Sequence, residues 1–113
     1  MSLDIKINRN SGNVATLLIA GDIDMSSSPL VRTHLTDLFA DNQQAIIVNL
    51  SNVAYIDSSG IATLVEGLQW SHANNTKFRL VGLTPAVKDV FEIARLLAVF
   101  EVFDSQAKAL EGV

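Results

Sequence analysis

Polar and apolar residues alternate with period two at the start of the chain, Leu3-Asp4-Ile5-Lys6-Ile7, which predicts a strand with one wet face. Asn10-Ser11-Gly12-Asn13 is a cluster of turn residues, so the apolar segment Val14 to Ala20 is expected to pair back as a hairpin. Gly21 and the polar stretch through Ser28 read as a loop. Pro29 suits the first position of a helix capped by Ser28, and Leu30, Val31, Leu35, Leu38 and Phe39 give that helix one apolar face. Ala45-Ile46-Ile47-Val48-Asn49-Leu50 is a short, nearly continuous apolar run, the pattern of a strand buried on both sides and hence central in its sheet. A second apolar patch leads to Asp57 and Gly60, after which Ile61, Leu64, Val65 and Leu68 recur at helical spacing. Asn74-Asn75 ends that helix, Phe78 to Val81 reads as a strand, and Thr84-Pro85 opens a helix with Val87, Val90, Phe91, Ala94 and Leu97 on one face. A strand near Val99 to Phe103 and a small helix near Asp104 to Leu110 complete the pattern.

The predicted order is β-β-α-β-α-β-α-β-α, with no repeat and no linker, so residues 1–113 read as one domain. Strands that alternate with helices predict an α/β fold, with a largely parallel sheet after the opening hairpin. Sites in such sheets gather at the carboxyl ends of strands, which singles out the loops Gly21 to Ser28 and Asp57 to Gly60.

Composition removes several function classes. The net charge is −4 and the isoelectric point about 4.9, with eight Lys and Arg scattered singly. Nucleic acid demands a dense basic face, so it is not an expected partner, and an anionic membrane surface is disfavoured for the same reason. There is no cysteine, hence no disulfide or thiolate chemistry. The segment Met1 to Asn10 lacks a signal-peptide core, and no apolar run nears the roughly 20 residues that span a bilayer. A cytoplasmic protein without direct membrane insertion is the expectation.

Asp57-Ser58-Ser59-Gly60 admits two readings. Asp and Ser are ordinary helix caps, because their side-chain oxygens accept the free N–H groups of a first turn. Alternatively, a hydroxyl there stands beside the positive end of the helix dipole, where a phosphoryl group is tolerated by its own domain. That group adds about two negative charges at pH 7 to a surface that already holds Asp57, enough to repel or block a docked partner.

Enzymatic readings of the same residues fail on spacing. A hydrolase nucleophile elbow needs Gly two places before the nucleophile, where this chain has Ile56. His72 lies about 21 Å further along the same helix, and His34 is on another helix, so Ser58 has no base. Asp22, Asp24 and Asp57 suggest a phosphoacceptor-aspartate receiver with Mg²⁺. However, the opening hairpin and the lack of a late lysine argue against it. Neither G-x-x-x-x-G-K-[ST] nor G-x-G-x-x-G occurs, and His, Asp and Glu are too dispersed for a recognisable metal site. No cofactor and no metal are therefore expected.

The stretch Ile46 to Leu50 followed by Tyr55-Ile56-Asp57-Ser58-Ser59-Gly60-Ile61 resembles the STAS domain, the family of anti-sigma-factor antagonists. Gly21-Asp22-Ile23-Asp24 is similar to that family's G-[acidic]-[aliphatic]-D loop. Gly82-Leu83-Thr84-Pro85-Ala86-Val87, then Phe91 and Leu96, fit its third-helix pattern, except that Arg95 stands where many members have a small residue. The resemblance implies a STAS fold and a non-enzymatic regulator. It implies an anti-sigma factor as partner, itself a serine kinase of the histidine-kinase ATPase fold, bound only while Ser58 is unphosphorylated. It further implies a metal-dependent serine phosphatase that restores the binding form. Ser58 would be the phosphoacceptor, Asp57, Ser59 and Gly60 would shape its turn, and Asp24 would lie in a neighbouring partner-contact loop. The same family also includes accessory subunits of membrane transporters, among them lipid-trafficking ABC systems, in which Ser58 need not be modified.

Two features stand outside the resemblance. Helical spacing aligns Thr63, Glu66 and Trp70 with Ser59, which admits two readings: a surface ridge running from the turn to an exposed Trp available for partner binding, or a Trp70 packed under the nearby chain or helix end. The run Ser26-Ser27-Ser28 offers further hydroxyls and is read as loop and cap chemistry.

Overall fold

The computed structural model describes residues 3–10 and 12–113, with only the backbone of Asn10. Met1, Ser2 and Ser11 of the expected hairpin turn lie outside the described residues. The elements are β1 (Asp4–Asn10), β2 (Val14–Ile23), α1 (Ser28–Ala40), β3 (Ala45–Ile56), α2 (Ser58–Asn74), β4 (Lys77–Val81), α3 (Pro85–Ile93), β5 (Glu101–Phe103) and α4 (Gln106–Ala109). The expected order of strands and helices is the observed one.

The five strands form one sheet in the order β1-β2-β3-β4-β5, antiparallel between β1 and β2 and parallel elsewhere. β3 is central, and its side chains alternate between two apolar layers. Ile46, Val48 and Leu50 face the layer built from Val31, Leu35 and Leu38 of α1, Leu64 of α2, and Val87 and Phe91 of α3. Ala45 and Ile47 face the opposite layer, closed by Ala109, Leu110 and Val113 near the carboxyl end. A strand sandwiched in this way has no polar side, which is why its sequence does not alternate.

Several boundaries differ from the expectation. β2 continues to Ile23 and β3 to Ile56, because these two strands remain paired after β4 has ended opposite Asn49. The loop expected to begin at Gly21 therefore begins at Asp24. α3 stops at Ile93, so Ala94 and Leu97 lie beyond it. Arg95 has φ 59°, and the Leu96 N–H donates to the Phe91 carbonyl at 2.9 Å, a left-handed helix stop. Leu30, expected on the apolar face of α1, is 43% exposed.

α2 is rotated relative to its expected apolar stripe. Its buried residues are Gly60, Thr63, Leu64, Gly67 and Ser71, while Ile61, Val65 and Leu68 are only partly covered. The two glycines explain this. A Cβ on Gly67 would stand 2.8 Å from the Phe78 ring, and one on Gly60 would stand 2.6 Å from Ile56 Cγ1 and 2.7 Å from Ile23 Cγ2. The helix turns its smallest side chains inward so that its backbone can rest on the sheet.

Candidate functional site

β2 and β3 end together at the carboxyl edge of the sheet, with Asp22 opposite Tyr55 and Ile23 opposite Ile56. The Asp57 N–H donates to the Ile23 carbonyl at 3.1 Å and joins the two strand ends. Each strand then enters a turn that starts a helix, so the two candidate loops form one face.

In the second turn Asp57 is extended (φ −109°, ψ −172°) and caps α2. Its Oδ1 accepts from the Ser59 N–H at 2.9 Å, the Gly60 N–H at 3.2 Å and the Ser59 hydroxyl at 2.5 Å. The Ser59 hydroxyl, foremost, and these two N–H groups hold the Asp57 carboxyl below its ordinary value, against partial burial and the neighbouring Asp24 charge. Ser58 is the first residue of α2 and is exposed. Among the described residues its hydroxyl takes part in none of the side-chain hydrogen bonds. Gly60 is required by the close approach to Ile56 and Ile23, which seats the helix start directly on the strand ends. The expected grouping of Asp57, Ser58, Ser59 and Gly60 in one turn is thus what the backbone provides. Asp57 supplies the cap, and the helix begins at Ser58.

The first turn repeats this geometry. Asp24 Oδ1 accepts from the Ser26 N–H at 2.9 Å, the Ser26 hydroxyl at 2.6 Å and the Ser27 N–H at 3.2 Å. These bonds, the Ser26 hydroxyl first, lower the carboxyl's proton affinity. Asp24-Met25-Ser26 and Asp57-Ser58-Ser59 are therefore structural copies, and the repeated Asp-x-Ser spacing is the sequence signal of the pair. Met25 takes the place of Ser58 in the copy and is 79% exposed. Ser28 is not the cap. The cap position is Ser27, a buried residue whose hydroxyl donates to the Asp22 carbonyl at 2.8 Å and accepts from the Asp24 N–H at 2.9 Å. The serine run is spent on loop geometry.

The surface ridge from Ser59 to Trp70 is not an open surface. Thr63 is only 6% exposed, and its hydroxyl donates to the Ser59 carbonyl at 3.0 Å. Trp70 is half-buried, edge-on to Phe39 with ring centroids 5.8 Å apart, and the Arg32 guanidinium lies 5.4 Å above its ring. Glu66 accepts from Arg32 Nε at 3.0 Å. Because the small-residue stripe of α2 faces the sheet, this flank faces α1, and the row is a seam between two helices. Thr63 and Trp70 are thus packing residues in this structure. Glu66 keeps an accessible carboxylate beside Arg32.

His72 lies in the last turn of α2, at the far end of that helix from Ser58. Among the described residues, no three His, Asp or Glu side chains gather as a metal site, and no helix is long and apolar enough to cross a membrane.

A family model described as the STAS domain matches residues 5–109. The chain is 30% identical over 84 residues to the anti-sigma-B factor antagonist of Staphylococcus aureus (strain NCTC 8325 / PS 47), covering 74% of this chain and 78% of that one. Its structure is similar to that of an anti-sigma factor antagonist from Mycobacterium paratuberculosis, with TM-score 0.89 and 23% identity over 99% of this chain and 94% of that one. It is also similar to the Bacillus cell fate determinant SpoIIAA in its phosphorylated form, with TM-score 0.76 and 16% identity over 96% of this chain and 97% of that one. This chain belongs to the STAS domain family.

Proposed function

We propose that the protein is an anti-sigma-factor antagonist whose docking face is gated at Ser58. Unphosphorylated, the face made by the turns at Asp24 and Asp57 binds an anti-sigma factor that is also a serine kinase of the histidine-kinase ATPase fold. Phosphate on Ser58 releases that partner, and a metal-dependent serine phosphatase restores binding. The names of the similar proteins support the class of partner.

The observation that carries the gate is the division of labour in the turn. Asp57 does all of the capping, Ser59 is tied to it, and Ser58 is left exposed at the first position of α2. A kinase can therefore reach the Ser58 oxygen without opening the fold, and the positive end of the helix dipole accommodates the added charge.

Incubation with a purified anti-sigma-factor serine kinase of the histidine-kinase ATPase fold and ATP, followed by intact mass and site mapping, tests the proposal. One phosphate is expected on Ser58 and none in Ser58→Ala. Phosphate on Ser59 instead, or partner binding unaffected by the phosphorylated form, sinks it.

A further inference from the structure

We propose that Met25 is the apolar anchor of this docking face, seated in the bound state in an apolar pocket of the anti-sigma partner whose rim is basic. The inference rests on the antagonist reading above and adds the chemistry of the contact.

Three observations carry it. Met25 occupies in the first turn the place that Ser58 occupies in the second, since Asp24 and Asp57 each bind the residues two and three further on at matching distances. The two positions therefore project from adjacent strand ends onto one face. Met25 is 79% exposed on a turn held by three bonds to one carboxylate oxygen. The backbone that carries this large apolar side chain is already ordered, so binding costs only the rotamer freedom of the side chain itself, and an unbranched thioether adapts to the pocket it enters. Finally, Asp22, Asp24 and Asp57 flank it, and among the described residues none of them is paired with Lys or Arg; the ion pairs are Arg9–Asp41, Arg32–Glu66 and Arg79–Glu101. An apolar centre with an unpaired acidic border complements an apolar pocket with a basic border.

This arrangement bears on how phosphate acts. Against a basic rim, charge alone would make phosphoserine bind more tightly. Release then requires that the added bulk and the desolvation of the dianion beside the pocket that holds Met25 cost more than its attraction to the rim returns. The switch works by desolvation and bulk at an apolar contact, and it needs an apolar neighbour for Ser58.

The test is calorimetric titration of the full chain against the same kinase in ADP, so that no phosphate is transferred. Met25→Gln is expected to weaken binding by about tenfold or more with an unchanged thermal midpoint. Ile93→Gln, which alters an 83% exposed side chain at the far end of α3, is expected to bind as the unaltered chain does. Met25→Gln binding within about twofold of the unaltered chain overturns the anchor, as does an equal loss in Ile93→Gln. Absence of binding by the unaltered chain overturns the antagonist reading itself, and the anchor with it.

Discussion

Asp57 accepts three hydrogen bonds through a single oxygen, and each of them favours the ionised carboxylate over the acid. Asp57→Ala removes the cap and is expected to cost about 1 kcal/mol in urea unfolding, with Asp57→Asn costing less because it keeps an acceptor. The pH dependence has a definite sign. The folded carboxyl titrates below its ordinary value of 3.8, so its stabilisation is complete above that value and is lost as pH falls through the lower folded value. The unaltered chain should therefore lose stability more steeply below about pH 4 than Asp57→Asn, and superimposable urea midpoints would remove Asp57 as the source. Arg95 is a second residue whose backbone decides its role. At φ 59° it occupies a left-handed position in which a Cβ is strained. Arg95→Gly should raise stability by about 0.5–1 kcal/mol, and a lower midpoint would show that the guanidinium makes a compensating contact.

At the scale of elements, the α1–α2 seam replaces the ridge expected on α2. Helical spacing located Thr63, Glu66 and Trp70 on one flank, and that was correct. It could not tell which flank met α1, because the orientation of α2 is set by where Gly60 and Gly67 permit close approach. A glycine carries no apolar signal in a periodicity analysis, yet here two of them steer the helix. The same limit applied to the end of β2, where Gly21, Asp22 and Ile23 read as loop although pairing with β3 keeps them extended. By contrast, the central position of β3 was legible from its nearly continuous apolar run, and the second candidate turn from its position after that strand. The seam makes a direct prediction. Trp70→Ala removes the edge contact with Phe39 and the Arg32 stack, and should cost about 2 kcal/mol by chemical denaturation. Arg32→Ala, which breaks an exposed ion pair, should cost under about 1 kcal/mol. A Trp70→Ala protein of unchanged stability that loses partner binding would restore the exposed-ridge reading.

Across the whole molecule, the two faces of the sheet are closed by different means, and the difference separates scaffold from site. α1, α2 and α3 cover one face with a broad aliphatic layer. The other face is covered in part by the short carboxyl-terminal segment, through the apolar contacts of Ala109, Leu110 and Val113. Arg79 of β4 ties that segment down. It is 9% exposed, donates from Nε to Glu101 at 3.1 Å and from Nη1 to the carbonyls of Ala109 at 3.0 Å and Glu111 at 2.6 Å, and lies 5.2 Å from the Phe103 ring centroid. Gln106 adds a polar tie, donating to the Thr16 hydroxyl at 2.8 Å and accepting from Asn49 at 3.2 Å. Carbonyls near the end of α4 suit a cation, and a planar guanidinium can address several acceptors at once, which an ammonium on a flexible stem does less well. Arg79→Met keeps an apolar stem over Phe103 and loses all three bonds, so a cost of about 1–3 kcal/mol is expected. The loss should be local first: amides of residues 106–113 should exchange faster in Arg79→Met while those of β2 and β3 stay protected. Unchanged protection at 106–113 would show that the apolar contacts of Ala109, Leu110 and Val113 suffice. Because this latch lies on the sheet face opposite α1 and α2, and the turns at Asp24 and Asp57 lead into those helices, the phosphorylation proposed for Ser58 should proceed in Arg79→Met at the unaltered rate. A slowed reaction would mean that the two ends of the fold are coupled.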